Sequence, residues 1–201
     1  MAYASWVSPN KTQGNGNDTV AWTGQVHTGR SARQTTATFS ASGVESKVLT
    51  IVQAGKAEYV QIDPTAAVSK TGGTLTITGK SNSSKLTFAL TGTNGIGLTL
   101  PAKYTAASVQ TNNGTAITGD PGAAQEYDFS ITFTGINENT TIGALVSQLT
   151  VTANNSTSAT CDITQAAGDA YLTIEPTTIN LTAAGTAVNV TVESNTSWTI
   201  S

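Results

Sequence analysis

The residues able to do chemistry are few and scattered. A nucleophile working with a general base would need histidine, and the chain has one, His27, in a Gly/Thr-rich stretch. A single histidine cannot build the usual metal cluster, and a Ser/His/Asp triad would hang on it alone. Asp120, Glu126 and Asp128 lie close in sequence, which raises a glycosidase-like carboxylate pair or a Ca²⁺ site. Against both stands the alternation of Tyr127, Phe129, Ile131 and Phe133, a strand signal that turns the aromatic row inward. Glu126 and Asp128 then share the opposite, solvated face, and the Asp-x-Asn-x-Asp-Gly spacing of a calcium loop is missing. Cys161 is the only cysteine and has no histidine near it in sequence, so it reads as a small buried hydrophobe and permits no internal disulfide framework. No catalytic, cofactor-binding or metal-binding residue is assigned, and the chain is expected not to be an enzyme.

Binding chemistry is nearly as sparse. Trp6, Trp22 and Trp198 could offer an aromatic platform to a sugar, although tryptophan in a β-sandwich more often packs in the core. Charged residues make up 10% of the chain, and the net charge of -3 comes from isolated carboxylates with no basic stripe extending Arg30 and Arg33 over a face. Electrostatic capture of nucleic acid is not expected. Asn17-Asp-Thr, Asn82-Ser-Ser, Asn139-Thr-Thr and Asn155-Ser-Thr fit the glycosylation acceptor pattern, but a chain so rich in Asn, Ser and Thr produces it by chance.

The elements that must position these residues are strands. Nineteen glycines, abundant Thr, Ser and Asn, and short apolar alternations between polar turns point to β-structure. Ser108–Gly122 carries so many turn signals that it reads as a long polar loop. No stretch approaches the roughly 18 apolar residues of a membrane helix, and the first residues have neither a basic region nor a continuous apolar one. Taking Met1 as the start, conventional secretion is not expected, yet the hydroxyl- and amide-rich surface suits work outside cells. A virus particle reconciles the two, as would a mature chain whose signal peptide has been removed.

The chain repeats itself. Val48–Thr65 aligns with Thr160–Thr177 at an offset of 112, pairing Gln53 with Gln165, Tyr59 with Tyr171 and Pro64 with Pro176. The match continues from Gly72–Ser84 to Ala184–Ser197 once a single residue is inserted. Alternation puts Leu49, Ile51, Cys161 and Ile163 toward cores and Val48, Thr50, Val52 and Asp162 outward. Val188, Val190 and Val192 form another such row. The segments 54–59 and 166–171 are too short for flexible linkers, so the units should be strung stiffly.

Asn195–Ser201, Ser5–Asn17, the alternating Ala37/Phe39 strand after Arg33 and the closing Leu49–Gly55 together resemble the BACON domain. That is an immunoglobulin-like β-sandwich module of gut Bacteroidetes proteins and of structural proteins of crass-like tailed phages. The resemblance implies an all-β chain of tandem immunoglobulin-like sandwiches, with Trp198 and Trp6 at core positions. The order of the pieces is unusual. Residues 1–56 hold the later part of a unit, 57–169 a complete unit with insertions, and 170–201 only the opening strands of a further one. Joining the end to the start restores the family pattern in a composite of about 84 residues, an ordinary sandwich size.

Neither half should stand alone, since each exposes an apolar face and bare strand edges. Three arrangements answer this: the ends meet within one chain, they meet between chains, or the chain is part of a longer one that supplies the rest. The resemblance implies a non-enzymatic virion protein on the outer surface of the capsid, either an auxiliary (decoration) protein or a head-fibre component of a tailed phage. Its partners would be the major capsid protein or fibre subunits and further copies of itself, with no nucleic acid and no membrane. The alternative is a module binding carbohydrate or mucin, with a host-surface glycan as partner.

Overall fold

The computed structural model describes residues 3–92 and 95–201. Among them are fifteen strands and no helix, the all-β architecture that the alternation calls for. β1 (Val7–Pro9) pairs antiparallel with β2 (Trp22–Gly24), and β3 (Arg33–Phe39) with β4 (Lys47–Gln53). Nine strands follow: β5 (Val60–Ile62), β6 (Thr65–Val68), β7 (Gly73–Ser81), β8 (Leu86–Thr91), β9 (Lys103–Ala106), β10 (Val109–Asn112), β11 (Tyr127–Ile136), β12 (Leu145–Ala153) and β13 (Ser158–Gln165). They make one sheet in the order β10-β9-β11-β7-β5 and another in the order β6-β13-β12-β8. A final antiparallel pair joins β14 (Leu172–Glu175) to β15 (Thr191–Ser194).

One core lies between the two large sheets. Tyr127, Phe129, Ile131 and Phe133 point inward from β11, Leu149 and Val151 from β12, and Cys161 and Ile163 from β13, all buried as alternation requires. Phe88 centres the aromatic packing, its ring 4.7 Å from that of Tyr104 and 5.8 Å from that of Phe129. Each such large side chain contributes about 1.5–3 kcal/mol when withdrawn from water.

The two sheets are coupled by a strand that changes sides. Only Asp63 and Pro64 separate β5, antiparallel to β7 in the first sheet, from β6, parallel to β13 in the second. Proline has no N–H to continue a ladder, so the backbone leaves β7 there. Its carbonyl remains useful: Pro64 O accepts from Asp162 N at 2.8 Å, and Val68 O accepts from Ala166 N at 3.0 Å. The first strand of the unit thereby closes an edge of each sheet.

Ser108–Gly122, expected as a polar loop, is partly ordered structure. Its first residues form β10, which pairs with β9 through the two-residue turn Ala107-Ser108. Both turn residues have positive φ, 48° and 66°, the backbone that a tight hairpin demands and that Asn-Gly ordinarily supplies. The missing glycine hid the turn. Further along, Ile117 and Ala123 are buried and anchor the rest of the segment.

The repeat is also a repeat of register. Arg33↔Gln53 and Ala37↔Leu49 in β3–β4 answer Leu145↔Gln165 and Leu149↔Cys161 in β12–β13, every residue moved by 112. Leu172↔Ser194 and Ile174↔Val192 in β14–β15 answer Val60↔Ser81 and Ile62↔Gly79 in β5–β7, with the one-residue insertion absorbed before β15. The N-terminal hairpin thus copies the closing strands of the central unit, and the C-terminal hairpin copies its opening strands.

Gly79 marks the tightest point where β5 crosses β7. A Cβ there would lie 2.3 Å from Gln61 O and 2.5 Å from the Phe129 ring, whereas Gly143 has open space around it. Gly79→Ala is expected to destabilise the protein by about 1–3 kcal/mol, and Gly143→Ala to change it by less than about 0.5 kcal/mol. Urea midpoints of the two variants check this.

Candidate functional site

His27, Asp120 and Glu126, singled out for chemistry, are tied into structural bonds. The His27 ring Nε2 sits 2.7 Å from Ser31 O across a tight turn. Asp120 takes both ends of the Arg30 guanidinium, at 2.7 and 2.9 Å. Glu126 accepts from Lys80 Nζ at 2.9 Å and from the Tyr59 hydroxyl, while Asp128 is 3.9 Å from Lys80. The Lys80 and Tyr59 bonds hold the Glu126 carboxyl below the usual carboxylate range, and the bond to Glu126 pushes the Tyr59 phenol up. Cys161 is fully buried, and burial pushes its thiol up, the opposite of what a nucleophile needs. No group of three or more His, Cys, Asp or Glu side chains able to hold a metal ion occurs among the described residues.

Asn82, one of the acceptor-like asparagines, and its repeat partner Asn195 have a structural role. Asn82 is 1% exposed, donating to Ala57 O and Ala123 O and accepting from Tyr59 N. One repeat later Asn195 donates to Asp169 O and Thr140 O and accepts from Tyr171 N. The preceding serines match as well: Ser81 Oγ donates to Tyr59 O and accepts from Ser83 N, and Ser194 Oγ donates to Tyr171 O and accepts from Thr196 N. The connecting backbone repeats too, with Lys56 N donating to Gly29 O at 2.8 Å and Gly168 N to Thr141 O at 2.7 Å. One Ser-Asn pair therefore clamps the chain as it passes from one unit to the next, at both junctions. In the sequence these residues stood out only as part of the repeat, and Asn82 also as a chance glycosylation pattern. Their place in the repeat, 23 residues after Tyr59 and, with the one-residue insertion, 24 after Tyr171, was the signal.

The first junction carries an added electrostatic staple. Glu58 is buried, bonded to Ser84 N and Ser84 Oγ, and its carboxylate lies 2.6 Å from Arg30 Nε. The same guanidinium donates to Asn82 O at 2.8 Å while forking onto Asp120. A buried carboxylate is tolerable only with such a partner. Beside it, burial pushes the Tyr127 phenol up to about 12, keeping it a neutral donor to Ser83 O at 2.7 Å. The second junction has the Lys70–Asp169 pair in place of this staple.

The remaining notable surface is apolar and lies at the two ends. In β3–β4, alternation sorts the faces as expected: Val48 and Val52 are 65% and 62% exposed, Leu49 is 37% exposed and Ile51 lies deeper. Yet Leu49 and Ile51 are not enclosed as their repeats Cys161 and Ile163 are: Ala37 opposite Leu49 is buried, but among the described residues this hairpin has only the short β1–β2 pair beside it and no counterpart of the large facing sheet of the central unit. The C-terminal hairpin is barer, with Leu172 56%, Ile174 47% and Trp198 47% exposed. Trp6 lies under the Arg33 guanidinium, 4.5 Å from ring centre, Trp22 meets Tyr3 edge-on, and both are half-buried. Among the described residues β14 and β15 pair only with each other, and β4 pairs only with β3, leaving one backbone edge of β4 free.

No family model matches the chain, and no curated protein does. Among solved structures it is similar to an endo-fucoidan hydrolase from glycoside hydrolase family 107, at 14% identity and a TM-score of 0.24, over 83% of this chain and 22% of that one. A likeness so distant carries no argument about this chain.

Arg30→Ala strands Glu58 without its counter-charge and is expected to cost about 3–5 kcal/mol, whereas Lys47→Ala, whose pair with Glu45 is fully surface-exposed, leaves the melting temperature unchanged. The pH dependence has a defined sign. The Arg30 guanidinium holds the Asp120 carboxyl below its ordinary 3.8, so this stabilisation is complete above about pH 4 and is lost as pH falls through the folded-state value. Between about pH 5 and pH 2, Asp120→Asn should therefore lose less stability than the parent, measured by acid titration of the urea midpoint.

Proposed function

We propose that the chain is a non-enzymatic structural protein that works by assembly. It is an auxiliary capsid or head-fibre component on the outer surface of a tailed-phage virion, built from tandem immunoglobulin-like, BACON-like sandwiches. In this reading residues 1–56 and 170–201 are partial units flanking a complete one at 57–169. The observation that carries the assembly half of the reading is the pair of open ends: each presents inward-type apolar residues, Leu49 and Ile51 at one and Leu172 and Ile174 at the other, to water. Faces of this kind mark contact surfaces, and free strand edges mark sites of strand addition. The virion half rests on the resemblance carried by the tryptophan-to-glutamine pattern of the unit. The partners are further copies, the major capsid protein or fibre subunits.

A second reading has its own observation. Trp198 and Tyr171 are about half exposed on the C-terminal segment, and exposed aromatic rings are the usual platform for a pyranose. A glycan- or mucin-binding module would use them directly.

Light scattering on the size-exclusion peak separates the two. The structural reading expects a defined oligomer, and a chain shortened to residues 1–169 is expected to lose both that state and part of its melting temperature. A stable monomer whose tryptophan fluorescence responds to mucin glycans, with the shortened chain melting unchanged, would favour the glycan module and dispose of the assembly.

A further inference from the structure

The two open ends are complementary, and the central unit shows how they fit. There β13 lies between β12 and β6, with β6 parallel in the register Asp162↔Thr65, Ile163↔Ala66, Thr164↔Ala67 and Gln165↔Val68. β4 is the counterpart of β13 by sequence and by hairpin register, and the edge that β6 would occupy is the one it leaves unpaired. The counterpart of β6 is Thr177–Asn180, which follows Glu175-Pro176 as β6 follows Asp63-Pro64. The free edge of β4 thus matches the strand that the C-terminal segment carries.

The side chain of the repeated glutamine supports the match. In the central unit Gln165 is buried, and its amide donates to Asn137 O at 2.8 Å on one side and to Ser69 O at 3.4 Å in the turn after β6 on the other. Gln53 makes the counterpart of the first bond, to Gln25 O at 2.8 Å. The turn that would supply the second, around Leu181, belongs to the other end of the chain.

Geometry decides between closure within a chain and closure between chains. The N-terminal unit is fastened at Glu58, Asn82 and Asp120, beside the end of β7 at Ser81. The C-terminal hairpin is fastened by Asn195 to Thr140 and Asp169. Lys70, just before β7 begins at Gly73, pairs with that same Asp169. The attachments thus lie at opposite ends of a nine-residue strand, about 26 Å apart at 3.3 Å per residue. Docked in this way, the two ends of one chain face apart.

We infer that residues 170–201 of one copy complete the N-terminal unit of a second copy. Thr177–Asn180 add in parallel to the free edge of β4 in the register Thr50↔Thr177, Ile51↔Thr178, Val52↔Ile179 and Gln53↔Asn180, and the β14–β15 hairpin covers Leu49 and Ile51. This rests on the assembly reading above and names its partner as another molecule of this chain. The contact is head-to-tail, and such contacts generate rings when the rotation closes and filaments when it does not.

Disulfide trapping tests the register. Thr50 and Thr177 are both exposed, and the only native cysteine, Cys161, is buried, so it does not compete. Thr50→Cys and Thr177→Cys variants of the full chain, unfolded, mixed, refolded together and oxidised, are expected to give a covalent dimer on a non-reducing gel. Neither variant alone should give it. Thr36→Cys with Thr177→Cys should not cross-link, because Thr36 lies one strand further in, opposite Thr50, beyond the roughly 7 Å between Cα atoms that a disulfide can span. An oligomer by light scattering that yields no Thr50→Cys/Thr177→Cys dimer, or yields equal cross-linking from Thr36→Cys, overturns this register while leaving the assembly reading in place. A disulfide formed within single molecules of the double variant also overturns it. A monomer at all concentrations overturns both.

Discussion

A strand edge is a row of amides and carbonyls that must find partners, and a sheet face made of leucine, isoleucine and phenylalanine must be covered. This one requirement organises the chain. The central unit meets it with a strand that gives β5 to one sheet and β6 to the other, the change of side fixed by Pro64. The consequence is mechanical as well as energetic. Because one continuous segment is bonded to both sheets, the sheets cannot slide past each other without breaking the Pro64–Asp162 or Val68–Ala166 bonds.

The junctions obey the same logic with different groups. Residues 54–59 and 166–171 leave the closing strand of one unit and enter the opening strand of the next, so their backbone groups have no ladder to join. Asn82 and Asn195 supply what is missing: an amide side chain carries both a donor and an acceptor and can serve carbonyls and an N–H together. The partly buried Arg30–Glu58 pair, with only its carboxylate fully enclosed, is the costlier device, and a chain with 10% charged residues uses it at one junction only. A buried pair contributes little net stability but strongly disfavours any arrangement that separates its members. Its effect here is to fix how the N-terminal unit sits on the central one.

Alternation made much of the fold legible in the sequence. The inward rows of β11 and β13, the burial of Cys161 and the outward Val48 and Val52 follow from a period of two, and the 112-residue offset located the paired hairpins. The β9–β10 hairpin stayed hidden because its turn is Ala107-Ser108, and positive φ at such residues is set by the surrounding sheet and leaves no trace in composition. Glu58, Arg30 and Asn82 stayed hidden for a related reason. They are distant in sequence, and only the fold brings them together. The carboxylates that sequence brought forward, Asp120, Glu126 and Asp128, are neighbours on one strand approach, yet the fold sends Asp120 to Arg30 and Glu126 to Lys80.

Repetition of the junction has a geometric consequence. The bonds of Asn82 to Ala57 O and Tyr59 N and those of Asn195 to Asp169 O and Tyr171 N are equivalent, and so are Lys56 N–Gly29 O and Gly168 N–Thr141 O, so along these bonds the step from the first unit to the second and the step from the second to the third share the same local geometry. If the third unit of one copy is also the first unit of the next, the operation relating successive copies is two such steps, applied again at each molecule. A fixed operation applied repeatedly yields a ring or a helix, never an irregular aggregate. The short, hydrogen-bonded connections, with no glycine- or serine-rich spacer, are what keep the operation fixed. Length and stiffness would then come from the same clamps that hold one molecule's units together.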